Sequence, residues 1–154
     1  METTLLILKP DTIRRRLIGK ILGRFEERGL KIRGMQMIRI DEALAERHYG
    51  EHKDKPFYPG LVKYITSSPV VIIAVAGPRA VEVCRKMMGK TFGWQSEAGT
   101  IRGDFGISNS YNLIHGSDST ESAEREIKLF FGDGGLHDFD MPDDSWIFDP
   151  AEDK

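Results

Sequence analysis

Runs of apolar residues, separated by glycine, proline and charged positions, predict four short strands. Residues 70–76 are continuously apolar and residues 3–8 are β-prone, so we expect both to be buried strands near the centre of a sheet. Residues 30–40 predict a half-buried strand with a bulge at Gly34. Four of their apolar residues share one parity: Leu30, Ile32, Ile38 and Ile40. Residues 111–114 are the last predicted strand.

Between the first three strands, apolar positions recur at helical spacing. Residues 13–25 predict a helix that Asp11 caps and Gly29 ends. Residues 41–49 and 60–66 predict two shorter helices joined by a polar loop with two prolines. This pair is expected to form a helical hairpin inserted between two strands.

The second half of the chain predicts two further helices and a long loop. Residues 80–88 carry an apolar face and stop at a glycine. Residues 90–110 lack clear periodicity, and an irregular segment of this length in a small domain is usually functional. Asp118, followed three residues later by Glu121, resembles a capping box for the last helix.

This order of elements predicts an α+β fold. We expect a ferredoxin-like antiparallel four-stranded sheet (βαββαβ) with helices packed on it and the helical hairpin inserted. Residues 1–154 are expected to be one domain, because this length suffices for one hydrophobic core. Residues 133–154 form an acidic tail, in which Trp146 and Phe148 are expected to anchor onto a surface.

The charges are distributed unevenly along the chain. Residues 1–40 hold ten basic and four acidic residues, an excess of six positive charges, whereas residues 133–154 hold eight acidic residues and one lysine. The basic part could bind a phosphate-bearing ligand or face an acidic neighbour within the fold. The net charge of −2 argues against nucleic acid as the main partner.

The cysteine content and the first residues of the chain indicate the cellular compartment in which the protein is expected to work. Cys84 is the only cysteine, which excludes an intramolecular disulfide. The apolar start is too short for a membrane span and lacks the features of a signal peptide. We therefore expect a cytoplasmic protein with no membrane partner.

The strongest chemical signal is the octapeptide of residues 112–119, Asn-Leu-Ile-His-Gly-Ser-Asp-Ser. It places His115 at the end of a strand, and Gly116 leaves the imidazole uncrowded. Histidine is a competent nucleophile near neutral pH, provided that an acceptor such as Glu126 on the next helix holds its second nitrogen. A lone histidine would usually be an ordinary loop residue, but this setting favours catalysis.

The octapeptide resembles the active-site signature of nucleoside diphosphate kinases. The similarity extends from Thr4 to about Trp146, with further family segments at residues 8–11, 60–64 and 99–105. The resemblance implies transfer of the γ-phosphoryl group from a nucleoside triphosphate, typically ATP, to a nucleoside diphosphate. It also implies a ping-pong mechanism through a phosphohistidine on His115, with low base selectivity.

The resemblance also implies a role for each matching residue. Tyr49 and Glu126 would orient His115, and Phe57 and Leu61 would contact the base. The phosphates and the ribose would be bound by cations and hydrogen-bond donors: Lys9, Arg85, Thr91, Arg102 and Asn112. On residue chemistry alone, the same side chains would be taken for solvated charges or packing residues.

The family's cofactor and assembly complete these expectations. Mg²⁺ is expected to be bound chiefly by nucleotide phosphates and water, with no direct protein ligand, although Asp118 could act through water. The resemblance implies a homo-oligomer, and the long tail favours a hexamer over a tetramer. Residues 92–98 and Asn109 depart from the family pattern, which affects assembly and base contacts rather than phosphoryl chemistry.

Two other function classes remain open on the sequence. A regulatory nucleotide-binding module could use Lys9, Arg102 and Phe57 without any chemistry, but it would not need the intact octapeptide. A nucleic-acid-binding protein could use the basic first helix, with affinity that falls steeply as salt rises. The acidic tail argues against this second class as the main role.

Overall fold

Four strands pair into one antiparallel sheet, with the order β2-β3-β1-β4, in the computed structural model. The strands are β1 (Glu2–Leu8), β2 (Lys31–Ile38), β3 (Val70–Gly77) and β4 (Ile114–Gly116). The structure describes residues 1–153, so Lys154, the last residue of the predicted domain and tail, lies outside the described residues. The predicted α+β class and ferredoxin-like order are confirmed.

Eight helices connect and follow the strands in this described part of the chain. They are α1 (Pro10–Arg14), α2 (Ile18–Glu27), α3 (Glu42–Tyr49), α4 (Tyr58–Ile65), α5 (Ala80–Met88), α6 (Ile101–Phe105), α7 (Thr120–Phe131) and α8 (Asp144–Ile147). Short 3₁₀ turns lie at Gly50–His52, Gly93–Gln95 and Pro150–Asp153. Among residues 1–153, no helix combines the length and apolar character that a membrane crossing requires.

Helices cover both faces of the sheet. Successive residues of a strand point to opposite faces, and on β1 Leu6 and Leu8 belong to one apolar cluster while Leu5 and Ile7 belong to another. The first cluster includes residues of α2 and α5. The second includes residues of α3, α4 and α7. The predicted helical hairpin, α3 and α4, therefore helps to cover the second face.

The first predicted helix is broken into two, and the predicted cap is wrong. Arg16 has a left-handed φ of 58°, which ends α1 and separates it from α2. Lys9, not Asp11, occupies the N-cap position. The Asp11 carboxylate instead accepts hydrogen bonds from the Leu113 amide, at 3.0 Å, and from the Tyr64 hydroxyl. The local spacing predicted that Asp11 caps a helix, but its side chain instead binds residues that are distant in the sequence.

The bulge predicted at Gly34 is confirmed, but it changes the face that β2 buries. The pairing of β2 with β3 shifts between Ile32 and Gly34. As a result, Leu30 and Ile32 pack in the first cluster while Ile38 and Ile40 pack in the second. The prediction of a single apolar face is wrong, because one extra residue reverses the alternation beyond it.

Boundaries around the octapeptide also differ from the predictions. The segment 90–110, predicted to be irregular, contains α6 and a 3₁₀ turn. The last strand begins at Ile114 rather than at residue 111, because Leu113 has a left-handed φ of 74°. His115 therefore lies within β4 and not after it. Ser119, not Asp118, caps α7, its hydroxyl accepting the Ser122 amide at 3.1 Å.

The acidic tail attaches to β2 through hydrogen bonds of Lys31 and Arg33 with residues 137–139. The Lys31 ammonium donates to the Phe139 carbonyl at 2.5 Å, and the His137 amide donates to the Arg33 carbonyl at 2.8 Å. Trp146 is 89% exposed, so it does not anchor on this chain itself. Phe148 is half-buried.

Gly116 is required by close packing, which predicts an effect on stability. A Cβ at this position would lie 2.5 Å from the Met88 sulfur and 3.4 Å from a Leu6 methyl. Overpacking of this kind costs about 1–3 kcal/mol. We expect Gly116→Ala to lower the free energy of unfolding by about that amount in urea denaturation.

Gly23→Ala is the matched control. A Cβ on Gly23, in the interior of α2, would meet no atom within 4 Å. This variant should be more stable by about 0.5–1 kcal/mol, because alanine favours the helix. Equal stability of Gly116→Ala and the unaltered chain would contradict the packing argument.

Candidate active site

His115 points into a small cavity on the second face of the sheet. It pairs with Ile7 across β1 and β4, so the two side chains share the face that α3 and α7 cover. The cavity has a volume of about 230 Å³ and is lined by residues that include Tyr49, Arg85, Asp118 and Glu126. The His115 side chain is 23% exposed, so one edge of the ring remains accessible.

A buried carboxylate fixes one nitrogen of His115. The Nε2 atom lies 2.7 Å from an oxygen of Glu126, and the Ser117 hydroxyl donates to the other oxygen at 2.5 Å. Burial alone would raise the pKa of Glu126, but the hydrogen bonds from His115 and Ser117 hold it below its ordinary value. The ionised Glu126 accepts a hydrogen bond from Nε2–H, which leaves the lone pair of the neutral ring on Nδ1.

Arg102 is buried against the backbone around β4. Its guanidinium donates to the carbonyls of Asn112, Gly89 and Ile114 at 3.1, 3.0 and 2.6 Å. Burial, and then the nearby charge of Arg85, lowers the pKa of Arg102 to about 10. Three of its five N–H donors are used in this way, which leaves two for another acceptor.

Lys9 is a second buried cation and is linked to Arg102 through Asn112. Its ammonium donates to the Asn112 side-chain oxygen at 2.8 Å, and the Asn112 amide group donates to the Thr91 carbonyl at 3.0 Å. Burial, and then the charge of Arg102, lowers the pKa of Lys9 to about 8, although Asp11 opposes the shift. Asn112 therefore positions Lys9, while the Thr91 side chain is exposed beside them.

Arg85 and Asp118 bring charge to the cavity itself. The Arg85 guanidinium donates to the Gly116 carbonyl at 3.2 Å, next to His115 in the chain. Hydrogen bonds, that from Ser122 first, hold the pKa of Asp118 below its ordinary value. The ionised Asp118 and the cationic Arg85 both line the same cavity as His115.

The remaining predicted residues differ in whether they line the cavity of His115. Tyr49 lines the cavity and is buried, and its hydroxyl has no hydrogen-bond partner among the described residues. Phe57 is 54% exposed, and its ring lies 5.5 Å from that of His52, which lines the cavity. Leu61 packs in the second apolar cluster. Phe57 and Leu61 do not line the cavity themselves.

Two site residues were not singled out by the sequence, namely Ser117 and His48. Ser117 had a usable signal, since it lies within the octapeptide two positions after His115. His48 had none, because its importance comes from distant neighbours. Its ring is 4.9 Å from that of His115 and 5.4 Å from that of Phe130. Burial, and then His115, lowers the pKa of His48 to about 3.

A buried carboxylate holds His115, Arg85 lines the same cavity, and Lys9 and Arg102 are bonded to the adjoining residues Asn112 and Ile114. This arrangement is suited to phosphoryl transfer. Comparison with known proteins agrees with this class. The family model for nucleoside diphosphate kinase matches residues 2–135. A nucleoside diphosphate kinase of Thermomicrobium roseum is 51% identical over 147 residues, which cover 96% of this chain and 99% of the relative. That of Pyrococcus abyssi is 54% identical over 150 residues, covering 96% and 94%.

A solved structure extends the agreement to the fold. A halophilic nucleoside diphosphate kinase from Halobacterium salinarum, in complex with CDP, superposes with a TM-score of 0.94 at 47% identity. The match covers 96% of this chain and 99% of the other. The chain therefore belongs to the nucleoside diphosphate kinase family. It is an enzyme that transfers phosphoryl groups between nucleotides.

Proposed function

We propose that His115 carries the phosphoryl group as a phosphohistidine formed on Nδ1, in a ping-pong reaction. The single observation that carries this proposal is the 2.7 Å contact between Nε2 and the buried carboxylate of Glu126. It keeps the proton on Nε2 and the nucleophilic lone pair on Nδ1.

The two half-reactions are each other's reverse. The Nδ1 lone pair attacks the γ-phosphorus, the bond from this phosphorus to the β–γ bridging oxygen breaks, and the nucleoside diphosphate leaves. A second nucleoside diphosphate then attacks with a terminal β-phosphate oxygen, and the P–N bond breaks. The proton stays on Nε2 throughout, and the ionised Glu126 stabilises the positive charge that develops on the ring.

Lys9, Arg85 and Arg102 are proposed to neutralise the phosphate oxygens. Each is tied to the protein by hydrogen bonds to the backbone or to Asn112, so little reorganisation is needed when the phosphates bind. Thr91 and the second amide hydrogen of Asn112 are proposed to donate to phosphate or ribose. Tyr49 is proposed to orient His115 by packing beside it in the cavity.

Phe57 is proposed to stack on the base, with Leu61 packed beside it. The exposed aromatic face offers stacking that every base can accept, which supports low selectivity. Nucleoside triphosphates, typically ATP, and diphosphates of different bases would then share one site. A single site for both half-reactions requires this tolerance.

The family needs a divalent cation, and we propose Mg²⁺. Asp118 fits this ion, because it is an ionised carboxylate in the cavity and Mg²⁺ favours oxygen ligands while retaining several waters. The phosphates would supply the direct ligands and Asp118 would act through water. When bound, the ion shields the charge of the phosphate oxygens.

We also propose a cytoplasmic homo-oligomer, a hexamer rather than a tetramer. Location in the cytoplasm follows from the nucleotide pools that the enzyme serves. Association is supported by β2, an edge strand of the sheet that carries Met35 and Met37 at 55% and 58% exposure. Trp94, at 63% exposure, is a further apolar side chain at the surface.

Single-turnover labelling tests the phosphohistidine. After mixing with γ-labelled ATP and Mg²⁺ and removal of nucleotide, the unaltered enzyme should carry an acid-labile, alkali-stable label. Addition of GDP or CDP should discharge the label. His115→Ala should lose at least 99% of the label, since Nδ1 is the only proposed acceptor, while His137→Gln should label normally. Normal labelling of His115→Ala would exclude His115 as the carrier. An unlabelled enzyme that still binds nucleotide would favour the regulatory module.

The lowered pKa of Lys9 predicts an alkaline limb in the pH profile. Above pH 8 the lysine loses the charge that binds phosphate, so kcat/KM should fall towards about tenfold per pH unit. Lys9→Arg should keep its charge and lack this limb. The comparison is the ratio of kcat/KM at pH 9 to that at pH 7 within each variant. If the unaltered enzyme and Lys9→Arg gave the same ratio, the proposal that Lys9 binds phosphate would be wrong.

Light scattering tests the assembly. A hexamer should have about six times the 17.4 kDa of the chain, and a mass of four times would indicate a tetramer. The double variant Met35→Asp, Met37→Asp should give a smaller species, because charges on the edge strand oppose association. Ala43→Asp, at an exposed position near the start of α3, is the control and should keep the full mass.

A further inference from the structure

A second histidine, His48, lies close to His115 and Glu126 in the cavity. The Nδ1 atom of His48 lies 3.4 Å from the Glu126 oxygen that His115 Nε2 approaches at 2.7 Å. One ligand atom from each of His48, His115 and Glu126 lies within 4.8 Å of the other two. The three side chains come from α3, β4 and α7, so the tertiary fold alone brings them together.

His48 is buried without a partner for its ring nitrogens. Its side chain is 2% exposed, and neither Nδ1 nor Nε2 has a hydrogen bond to any described residue. A buried polar group without a hydrogen bond is energetically unfavourable. Such a group beside a carboxylate and a second imidazole would gain from a ligand that accepts its lone pair. The phosphoryl transfer proposed above does not use His48.

The ligand set favours zinc over magnesium. Two imidazoles and one carboxylate, with water in the fourth position, are a recurrent zinc set, whereas Mg²⁺ prefers oxygen ligands only. Bonds of about 2.0–2.2 Å to a tetrahedral ion separate neighbouring ligands by roughly 3.3–3.6 Å. The His48–Glu126 separation of 3.4 Å meets this requirement. The His115–Glu126 contact must lengthen from 2.7 Å when the ion replaces the proton between them.

We propose that His48, His115 and Glu126 form an inhibitory zinc site, which opposes phosphorylation of His115. A neutral imidazole has one lone pair. When zinc takes the lone pair of Nε2, the ring proton must move to Nδ1. A protonated Nδ1 cannot attack phosphorus, so zinc and the phosphoryl group require opposite tautomers of the same ring. This inhibitory consequence rests on the proposed phosphohistidine, whereas zinc binding does not.

Zinc binding is measured first, in the absence of nucleotide. The full chain competes with a fluorescent zinc indicator, and we expect one site per chain. His48→Phe, which suits the neighbouring Tyr49 and Phe130, should weaken zinc binding at least tenfold. His115→Ala should do the same, so the test does not depend on one variant folding. His52→Gln is the matched control, since His52 lines the same cavity but lies outside the three-residue cluster, and it should bind as the unaltered chain does.

Phosphoenzyme formation is measured next. Enzyme preincubated with zinc is mixed with γ-labelled ATP and excess Mg²⁺, and the label is followed in the first turnover. The initial rate should fall at least tenfold at saturating zinc, and a zinc-selective chelator should restore it. Relative to its own zinc-free rate, His48→Phe should be insensitive to the same zinc concentration.

The outcomes separate the two proposals. Unchanged zinc affinity in both His48→Phe and His115→Ala, or equal inhibition of His48→Phe and the unaltered enzyme, would overturn the zinc site. Absence of label in zinc-free enzyme would overturn the phosphohistidine instead. Zinc binding that is lost in both variants would then still establish the site as a metal-binding one.

Discussion

The buried carboxylate of Glu126 is the constraint on which the rest of the site depends. Its side chain is 3% exposed, and a buried charge is tolerated only when it is paired and hydrogen-bonded. Ser117 and His115 supply those partners, one on each oxygen. Since His115 lies in β4 and Ser117 comes directly after its last residue, helix α7 and strand β4 must dock in one register. The same pairing that makes burial tolerable also fixes the tautomer that phosphoryl transfer requires.

The hydrogen bonds that stabilise β4 also position the cations of the site. Arg102 and Arg85 donate to carbonyls of β4, a strand of three residues that pairs only with β1 among the described strands. These side chains therefore complete a strand that is short of backbone partners. Arg102 and Lys9 are also already desolvated before phosphate binds, as their lowered pKa values reflect. Preorganised charge of this kind acts more strongly on phosphate than the same charge in water.

His48 places a second imidazole beside the nucleophile, in surroundings that keep it neutral. Tyr49 and Phe130 contact its ring, and burial disfavours its charged form. A neutral histidine near an ionised carboxylate avoids a further positive charge next to His115. Because His48 is neutral, it also keeps a lone pair that can bind a metal ion. The same packing therefore places a potential metal ligand beside the nucleophile His115.

The sequence by itself determined the elements whose burial follows a local period. Strands β1 and β3, helix α5 and the helical hairpin were predicted within a few residues, because apolar spacing reports directly on burial. The octapeptide and its companion segments also sufficed to place the chain in its family. Tertiary structure alone decided which side chains meet across the chain. The partner of Asp11, the opposite faces of Ile32 and Ile38, and the place of His48 all depend on contacts between residues far apart in sequence, which no local period records.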